Sequence, residues 1–188
     1  TLNSDLMDPD DLDKVIKREV TVFGNAKCLD RTVLKIPPIG TYIASGSTVG
    51  RLARLGIRPD IVVTDLDGDM EPQIEASARG AITLIHAHGD NSTAILMYAS
   101  RFKGPVVLTT QSTPELTVSN FGGFTDGDRA VCLARHFGAR NILLEGFDFD
   151  NPNYKPGGDA AVKKKKLKWA KIIFDMNPPG VRLSTPDL

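Results

Sequence analysis

The sequence predicts an α/β fold, a three-layer Rossmann-like domain with a mostly parallel sheet of about six strands. Two observations support this prediction. Short apolar, β-branched runs alternate with stretches of helical character along the whole chain, which is typical of sheets built from repeated strand, helix and strand units. The runs are apolar throughout instead of alternating with polar residues, which indicates strands buried on both faces, as in a parallel sheet.

The elements follow one another in a regular order. The predicted strands are residues 19–24, 40–45, 60–65, 81–87, 105–110 and 141–146, with residues 181–185 as a candidate edge strand. The predicted helices between them are residues 47–56, 71–79, 91–102, 127–138 and 159–175. Glycine commonly ends a helix, and it stands between a predicted helix and the next strand at Gly56, Gly80 and Gly138.

A chain of 188 residues suffices for one domain with a full hydrophobic core. We expect residues 19–188 to form a single α/β catalytic domain. Residues 1–18 are expected to be an N-terminal helical segment, with Asp8 as N-cap and Pro9 at the first helical position. The sequence starts without Met, and this segment is compatible with the remnant of a longer N-terminal region.

Composition excludes several classes of partner. Lys plus Arg and Asp plus Glu number 23 each, so no net charge attracts nucleic acid or a membrane surface. No window approaches the roughly 20 apolar residues that span a bilayer. The two cysteines, Cys28 and Cys132, lie far apart and in no metal-ligand spacing, which fits a reducing compartment. We therefore expect a cytoplasmic protein without nucleic-acid or membrane partners, and the sequence leaves a homo-oligomer open.

Polar loops follow nearly every predicted strand. The carboxyl ends of parallel strands share one edge of an open sheet, and ligands bind at that edge. The sequence therefore predicts one acidic, glycine-rich crevice, formed by "GN" (24–25), "SGS" (45–47), "DLDGD" (65–69), "HAHGDN" (86–91), "TTQST" (109–113) and "GFDFDN" (146–151).

The stretch "TDLDGDM" (64–70) has four interpretations: a solvated turn, a calcium loop, a phosphatase nucleophile or a magnesium site. A calcium loop of the EF-hand type is excluded, because it requires Gly and Glu where Met70 and Ala76 stand. In a haloacid-dehalogenase-type phosphatase, Asp65 would be the nucleophile and Asp67 a general acid. That motif normally lies on the first strand and continues with Thr, whereas two strands precede it here and Asp69 takes the Thr position.

The stretch "HAHGDN" offers a further carboxylate. Its His86, His88 and Asp90 resemble the start of the HxHxDH zinc signature of metallo-β-lactamase-like hydrolases, but Asn91 replaces the last histidine, and a catalytic zinc site needs about three protein ligands. Magnesium prefers oxygen ligands and is usually held by one or two carboxylates together with phosphate oxygens. We therefore group Asp90 with Asp65 and Asp67, although Asp90 could also cap the helix that follows.

The stretch "NFGGFTDGDRA" (120–130) is dense in Gly and Asp. Its glycines let the backbone approach a ligand, and the predicted helix directs its N-terminal amides to the same place. Arg129 is suited to bidentate contact with phosphate. Asp126 and Asp128 could bind metal, orient a substrate or cap the helix. The basic run on the last helix is either a solvated face or a source of phosphate contacts from one or two of Lys163, Lys164, Lys165 and Lys166.

Together the motifs "PDIVVTDLDGD", "HAHGDN", "TTQ", "NFGGFTDGDRAV", "GFDFD" and "KKKLKWA" resemble the archaeal 6-hydroxymethyl-7,8-dihydropterin pyrophosphokinase (MptE-like) family. The resemblance covers roughly residues 19–175, and a more distant similarity runs to thiamine pyrophosphokinases. Relatives have a "GxGPSL"-like turn after the first strand, whereas this chain has "GNAKCL". No phosphate-binding role is therefore predicted for Gly24 and Asn25.

The resemblance implies Mg²⁺-dependent transfer of diphosphate from ATP to a pterin alcohol, with release of AMP, in folate or methanopterin synthesis. On this basis the catalytic residues and metal ligands are Asp65, Asp67 and Asp90. The nucleotide- or substrate-binding residues are Asp69, His88, Asn91, Gln111, Gly122, Gly123, Asp126, Asp128 and Arg129. The alternatives are a phosphohydrolase using Asp65 and Asp67, a thiamine-type pyrophosphokinase and a non-catalytic nucleotide-binding domain.

Overall fold

A computed structural model describes residues 6–150 and 160–186 of the chain. These residues form one sheet of eight strands, all paired in parallel, in the order β6-β5-β4-β3-β2-β1-β7-β8. The strands are β1 (Glu19–Phe23), β2 (Thr41–Ser45), β3 (Ile61–Thr64), β4 (Ile82–Ala87), β5 (Val106–Thr110), β6 (Val118–Ser119), β7 (Asn141–Glu145) and β8 (Arg182–Ser184). The predicted α/β class and parallel sheet are confirmed.

The predicted number of about six strands is wrong, since the sheet has eight. Six of these strands match the predicted runs within one residue at each end, and the candidate edge strand is β8. The strand missed by the sequence analysis is β6, which consists of two residues beside β5 at the opposite edge. So short a strand carries no periodic pattern, because its pairing depends only on the neighbouring strand.

Six α-helices connect the strands in the described part of the chain. They are α1 (Leu29–Lys35), α2 (Val49–Arg54), α3 (Glu71–Ala78), α4 (Ser92–Tyr98), α5 (Asp126–His136) and α6 (Ala160–Asp175). The sequence analysis missed α1, which has seven residues and stops just before the Pro37–Pro38 pair, too short for a clear helical period. The predicted N-terminal helix is a 3₁₀ helix, Pro9–Lys14, whose N-cap Asp8 accepts a hydrogen bond from the backbone of Asp10.

The sheet lies between two layers of helices. Along β1, Val20 and Val22 pack into a core beneath α5 and α6, whereas Phe23 packs into a second core beneath α1 and α2. A third core, which includes Phe102, lies beneath α4 and the residues that follow it. Leu12 of the N-terminal segment is fully buried in the α5 and α6 layer. Burial on both faces explains why the strands are apolar throughout.

The direction in which successive strands are added to the sheet reverses at β1. Strands β2 to β6 are added on one side of β1, and β7 and β8 lie on the other side. In open α/β sheets the ligand crevice lies outside the carboxyl ends of the strands at this reversal. None of the helices in the described part of the chain is long and apolar enough to cross a membrane.

Candidate active site

A cavity of about 220 Å³ lies at the carboxyl edge of the sheet, where the strand order reverses. Loops after β1, β2, β3 and β7 form it together with the start of α5 and one turn of α6. Of the residues that the sequence analysis placed at the site, four line this cavity: Asp65, Asp67, Asp126 and Arg129. The predicted crevice is therefore present, but only some of the strand-end loops reach it.

Three carboxylates meet in this cavity. Asp65, Asp67 and Asp126 each offer a carboxylate oxygen, and these oxygens lie within 4.8 Å of one another. Asp65 and Asp126 are half-buried and Asp67 is exposed. We call these residues the carboxylate group. At such separations the negative charges repel one another strongly, so a bound cation would be stabilised there.

An unusual backbone conformation shapes the loop after β3. Leu66, between Asp65 and Asp67, has a φ of 62°, in the left-handed region that residues other than Gly seldom adopt. Its amide donates a hydrogen bond to Oγ1 of Thr64, and its side chain is only 4% exposed, packed in the third core. Such strain persists where the surroundings hold it, and it often marks functional sites. The anchored Leu66 therefore holds the loop on which both carboxylates lie.

The N-terminus of α5 supplies the third carboxylate. Asp126 is the first residue of this helix, and Thr125 is its N-cap. Asp128, which is fully buried, accepts hydrogen bonds from the backbone amides of Phe124 and Thr125 and from the Thr125 hydroxyl. These contacts make Asp128 the N3 residue of a capping box with the N-cap Thr125, and Asp126 lines the cavity.

Arg129 is the buried cation of the site. Its side chain is 9% exposed, and no hydrogen-bond partner of its Nε lies among the described residues. Burial lowers the pKa of Arg129, and the nearby Asp126 and Asp128 act in the opposite direction. An arginine remains charged under these conditions, so it brings a positive charge to the edge of the carboxylate group.

Gly122 and Gly123 do not line the cavity; they form the turn before α5. Both have positive φ angles, 86° and 91°, and a Cβ on Gly123 would lie 2.6 Å from the Cα of Arg129. Glycine therefore allows the loop to pass directly over Arg129. The structure gives these two glycines a role in the shape of the loop, and their predicted ligand contact stays a prediction.

Asp90, the third predicted metal ligand, is exposed and lies outside the carboxylate group. The neighbouring Asn91 ties the two loops together. Its side-chain amide donates hydrogen bonds to the backbone oxygens of Asp65 (2.8 Å) and His86 (2.7 Å), and its oxygen accepts one from the amide of His88. Asn91 thus positions Asp65 from within the protein. The ligand-binding roles proposed for Asp90 and Asn91 stay predictions.

The two histidines of this loop differ in environment. His86 is 2% exposed, its Nδ1 lies 3.1 Å from Oγ1 of Thr109, and burial lowers its pKa to about 4. His88 is half-buried, and its Nε2 lies 3.7 Å from Oδ2 of Asp65. Among the described residues, the group able to hold a metal contains no histidine. This donor set does not favour the zinc interpretation.

The remaining predicted residues lie outside the cavity lining. Asp69 is exposed and accepts a hydrogen bond from the amide of Glu71 at the start of α3. Gln111 is exposed after β5, four strands away from β1. Of the four lysines, Lys166 lines the cavity, and the side chain of Lys163 lies outside the described residues. The binding roles of Asp69 and Gln111 stay predictions.

The MptE-like family model, described as 6-hydroxymethylpterin diphosphokinase, matches residues 6–154. Three archaeal proteins named 6-hydroxymethyl-7,8-dihydropterin pyrophosphokinase are similar to the chain. The protein of Pyrococcus furiosus is 38% identical over 185 residues, covering 92% of this chain and 78% of the relative. That of Methanothermobacter thermautotrophicus is 40% identical over 179 residues (88% and 76%), and that of Methanocaldococcus jannaschii 36% over 195 residues (92% and 80%).

The chain belongs to the MptE-like family. The resemblance inferred from its motifs is therefore confirmed. Among solved structures, the sialyltransferase CstII of Campylobacter jejuni gives a TM-score of 0.47 at 9% identity, over 89% of this chain and 79% of that chain, a likeness too slight to inform function.

In this member of the MptE-like family, the loops after β1 and β7 line the cavity through Gly24, Asn25, Gly146 and Phe147, and both loops belong to the crevice predicted from the sequence. The sequence analysis assigned no individual binding role to these four residues. The amide of Gly24 donates a hydrogen bond to the oxygen of Glu145 (2.8 Å), which holds the two loops side by side. Their contact follows from the strand order, which places β7 beside β1 where the order of the strands reverses.

Arg51 on α2 fixes the β1 loop from the other side. Its guanidinium donates hydrogen bonds to the backbone oxygens of Ala26 (2.7 Å) and Lys27 (2.9 Å) and to the carboxylate of Asp30 (2.6 Å). Two charge-assisted hydrogen bonds therefore hold the loop between β1 and α1, and a third holds the first turn of α1. This MptE-like chain presents a preorganised backbone at the cavity.

Proposed function

We propose that the chain catalyses Mg²⁺-dependent transfer of the β,γ-diphosphate of ATP to the hydroxymethyl group of 6-hydroxymethyl-7,8-dihydropterin, with release of AMP. Membership of the MptE-like family makes the chain a transferase, and the names of its archaeal relatives support the acceptor. The observation that carries the proposal is the carboxylate group, because it combines residues from β3 and α5 inside the cavity at the strand-order reversal.

The donor atoms of the carboxylate group fit magnesium. They are all oxygens, as this hard cation prefers, and the cavity leaves room for water and phosphate oxygens. We assign the metal to Asp65, Asp67 and Asp126, with Asp126 in the place for which the sequence suggested Asp90. When bound, the ion neutralises phosphate charge during transfer.

The protein's own contribution is positioning and charge. In the reaction, the acceptor oxygen forms a bond to the β-phosphorus, the bond from that phosphorus to the α,β-bridging oxygen breaks, and the hydroxyl proton passes to water. Arg129 of α5 and Lys166 of α6 both line the cavity and would contact the polyphosphate. Most of the rate in such transfers comes from orientation and electrostatic stabilisation. We expect this chemistry in the cytoplasm, by a monomer or a homo-oligomer.

The decisive experiment incubates the protein with ATP, MgCl₂ and 6-hydroxymethyl-7,8-dihydropterin and measures AMP. AMP that forms only when the pterin is present supports the proposal. Phosphate release without acceptor would instead indicate a phosphohydrolase, and AMP formed with thiamine would indicate a thiamine-type enzyme. The absence of all turnover would favour a nucleotide-binding domain.

The matched variants are Asp67→Asn and Asp13→Asn. Both remove one exposed carboxylate, but only Asp67 belongs to the carboxylate group. We expect no measurable turnover for Asp67→Asn with unchanged circular dichroism, and normal turnover for Asp13→Asn. Near-normal activity of Asp67→Asn would contradict the metal assignment.

A further inference from the structure

Phe147 fills a slot between two glycines at the reversal of the strand order. A Cβ on Gly24 would lie 3.0 Å from its ring atoms Cε2 and Cζ, and a Cβ on Gly127 would lie 2.8 Å from its Cε1. Real Cβ atoms essentially never approach other atoms within 3.0 Å. A side chain at Gly127 would therefore displace the ring, whereas one at Gly24 would crowd the ring and would also lie 2.8 Å from the backbone oxygen of Gly146.

The same ring is supported from behind by other aromatic side chains. Phe174 of α6, which is 3% exposed, meets it edge to face with ring centroids 5.5 Å apart and an interplanar angle of 80°. The ring of Phe149 lies 6.4 Å from it at an angle of 29°. Phe147 itself is half-buried and lines the cavity. It is thus a fixed aromatic surface in a cavity whose other walls carry carboxylates and Arg129.

The position of this surface indicates which ligand it contacts. Gly127, which touches Phe147, directly follows Asp126 of the carboxylate group. In the proposed reaction the attacking oxygen of the acceptor is joined to its ring through a single carbon. The adenine ring of ATP is separated from the β-phosphorus by ribose and the α-phosphate. The ring that must lie beside the carboxylate group is therefore the ring of the acceptor.

We propose that Phe147 is the stacking surface for the flat heteroaromatic ring of the acceptor, and that Gly24 and Gly127 keep it in place. This inference rests on the proposed function. Stacking on an aromatic side chain accepts any planar ring and contributes substantially to binding. The residue thus favours a bicyclic heteroaromatic alcohol over an acceptor without a planar ring, and a ring stacked on it would have its hydroxymethyl group close to the carboxylate group.

Binding is measured by titration calorimetry, which needs no turnover. The probes are oxidised 6-hydroxymethylpterin and a non-hydrolysable ATP analogue with MgCl₂, each titrated into the wild type and the variants. We expect Phe147→Leu to weaken pterin binding about 5- to 100-fold, with the ATP analogue bound as before. Phe147→Tyr keeps a ring and should retain pterin affinity within about threefold.

The control is Phe137→Leu, which removes a half-buried ring that packs against Phe121 outside the cavity. It should leave both affinities unchanged. If Phe147→Leu does not fold, Gly127→Ala serves instead, because alanine suits a helix and its Cβ would displace the ring; it should also weaken pterin binding.

Loss of ATP-analogue affinity with normal pterin affinity would overturn the assignment and place adenine on Phe147. Unchanged affinity for both ligands would overturn it as well. The proposed function fails separately, when the wild type binds pterin but forms no AMP from it.

Discussion

At the scale of single residues, the site is a cluster of negatively charged side chains whose positions are fixed by local contacts. Leu66 holds the β3 loop in a left-handed conformation, and Asn91 anchors the backbone of Asp65. Asp128 caps α5, which leaves Asp126 for the cavity. Of these two neighbouring acids, Asp128 therefore has a structural role and Asp126 has the proposed catalytic role.

The choice between Asp126 and Asp90 as third metal ligand can be tested with matched substitutions. We expect Asp126→Asn to lower kcat/KM at least about 100-fold, beyond the effect typical of outer-shell partners, and to raise the Mg²⁺ concentration that gives half-maximal activity. Asp90→Asn should stay within a few-fold of the wild type, because Asp90 lies outside the carboxylate group. The assays vary MgCl₂ at saturating ATP and pterin. A large loss in Asp90→Asn with a normal Asp126→Asn would assign the ligand to Asp90.

The buried His86 predicts how stability responds to acid. Burial, with the charges of Arg129 and His88, lowers its pKa from 6.5 to about 4. Between these values the unfolded chain binds a proton that the folded chain does not. The stabilisation is therefore complete above pH 6.5 and is lost as the pH falls towards 4, by up to roughly 3 kcal/mol.

Urea unfolding of wild type and His86→Gln at pH 7.5 and 5.0 measures this contribution. The free energy of unfolding of the wild type should fall more on acidification than that of the variant, because glutamine does not titrate. Equal falls in the two proteins would show that His86 does not titrate in this way.

At the scale of elements, hydrogen bonds join the C-terminal ends of α5 and α6, the two helices behind the cavity. Arg135 in the last turn of α5 donates hydrogen bonds to the backbone oxygens of Ile173 and Phe174 (2.8 Å each) and to Oδ1 of Asn177. The oxygens of Ile173 and Phe174 are backbone carbonyls of the last turn of α6, which a helix end leaves without partners. Arg135 therefore caps α6, the helix that carries Lys166 to the cavity and places Phe174 behind Phe147.

Replacement of this cap should destabilise the protein. We expect Arg135→Met to lower the free energy of unfolding by about 2 kcal/mol, since hydrogen bonds of a charged donor are lost at partly buried carbonyls. Arg54→Met, at an exposed position of α2, is the control and should change stability by less than about 0.5 kcal/mol. Urea denaturation followed by circular dichroism compares the two. Equal stability of both variants would show that Arg135 adds nothing as a cap.

At the scale of the whole molecule, stability depends on a buried acid at the centre of the fold. Glu145 ends β7 beside β1 and is fully buried, and the Thr32 hydroxyl beside it only partly offsets the effect of burial on its pKa. Burial raises the pKa of this carboxyl above its usual 4.5. The folded chain thus keeps a proton that the unfolded chain releases, so stability is full below pH 4.5 and falls as the pH rises through the raised pKa.

Glu145→Gln removes this dependence. We expect the variant to be more stable than the wild type at pH 7, with the difference shrinking as the pH approaches 4.5. Thermal unfolding in buffers from pH 4.5 to 8 follows the difference in Tm. A variant less stable than the wild type at every pH would show that the ionised carboxylate is stabilised in the fold.

Elements with a local pattern of residues could be predicted from the sequence, whereas elements that depend on long-range contacts could not. The apolar runs predicted six strands within one residue at each end, because burial on both faces leaves a direct trace in composition. The short elements α1 and β6 left no such trace and were missed. Asp65 and Asp67 could be singled out, since they stand two residues apart after a buried strand.

The sequence by itself determined the α/β class, the family and the loops that carry the chemistry. Only the tertiary structure decided which loops meet. The order of the strands puts β7 beside β1, so that Gly24 and Phe147 share one cavity although they are far apart in the chain. It also places Asp126 with Asp65 and leaves Asp90 outside. Proximity between distant segments depends on how helices pack across the sheet, and no local pattern of residues encodes that arrangement.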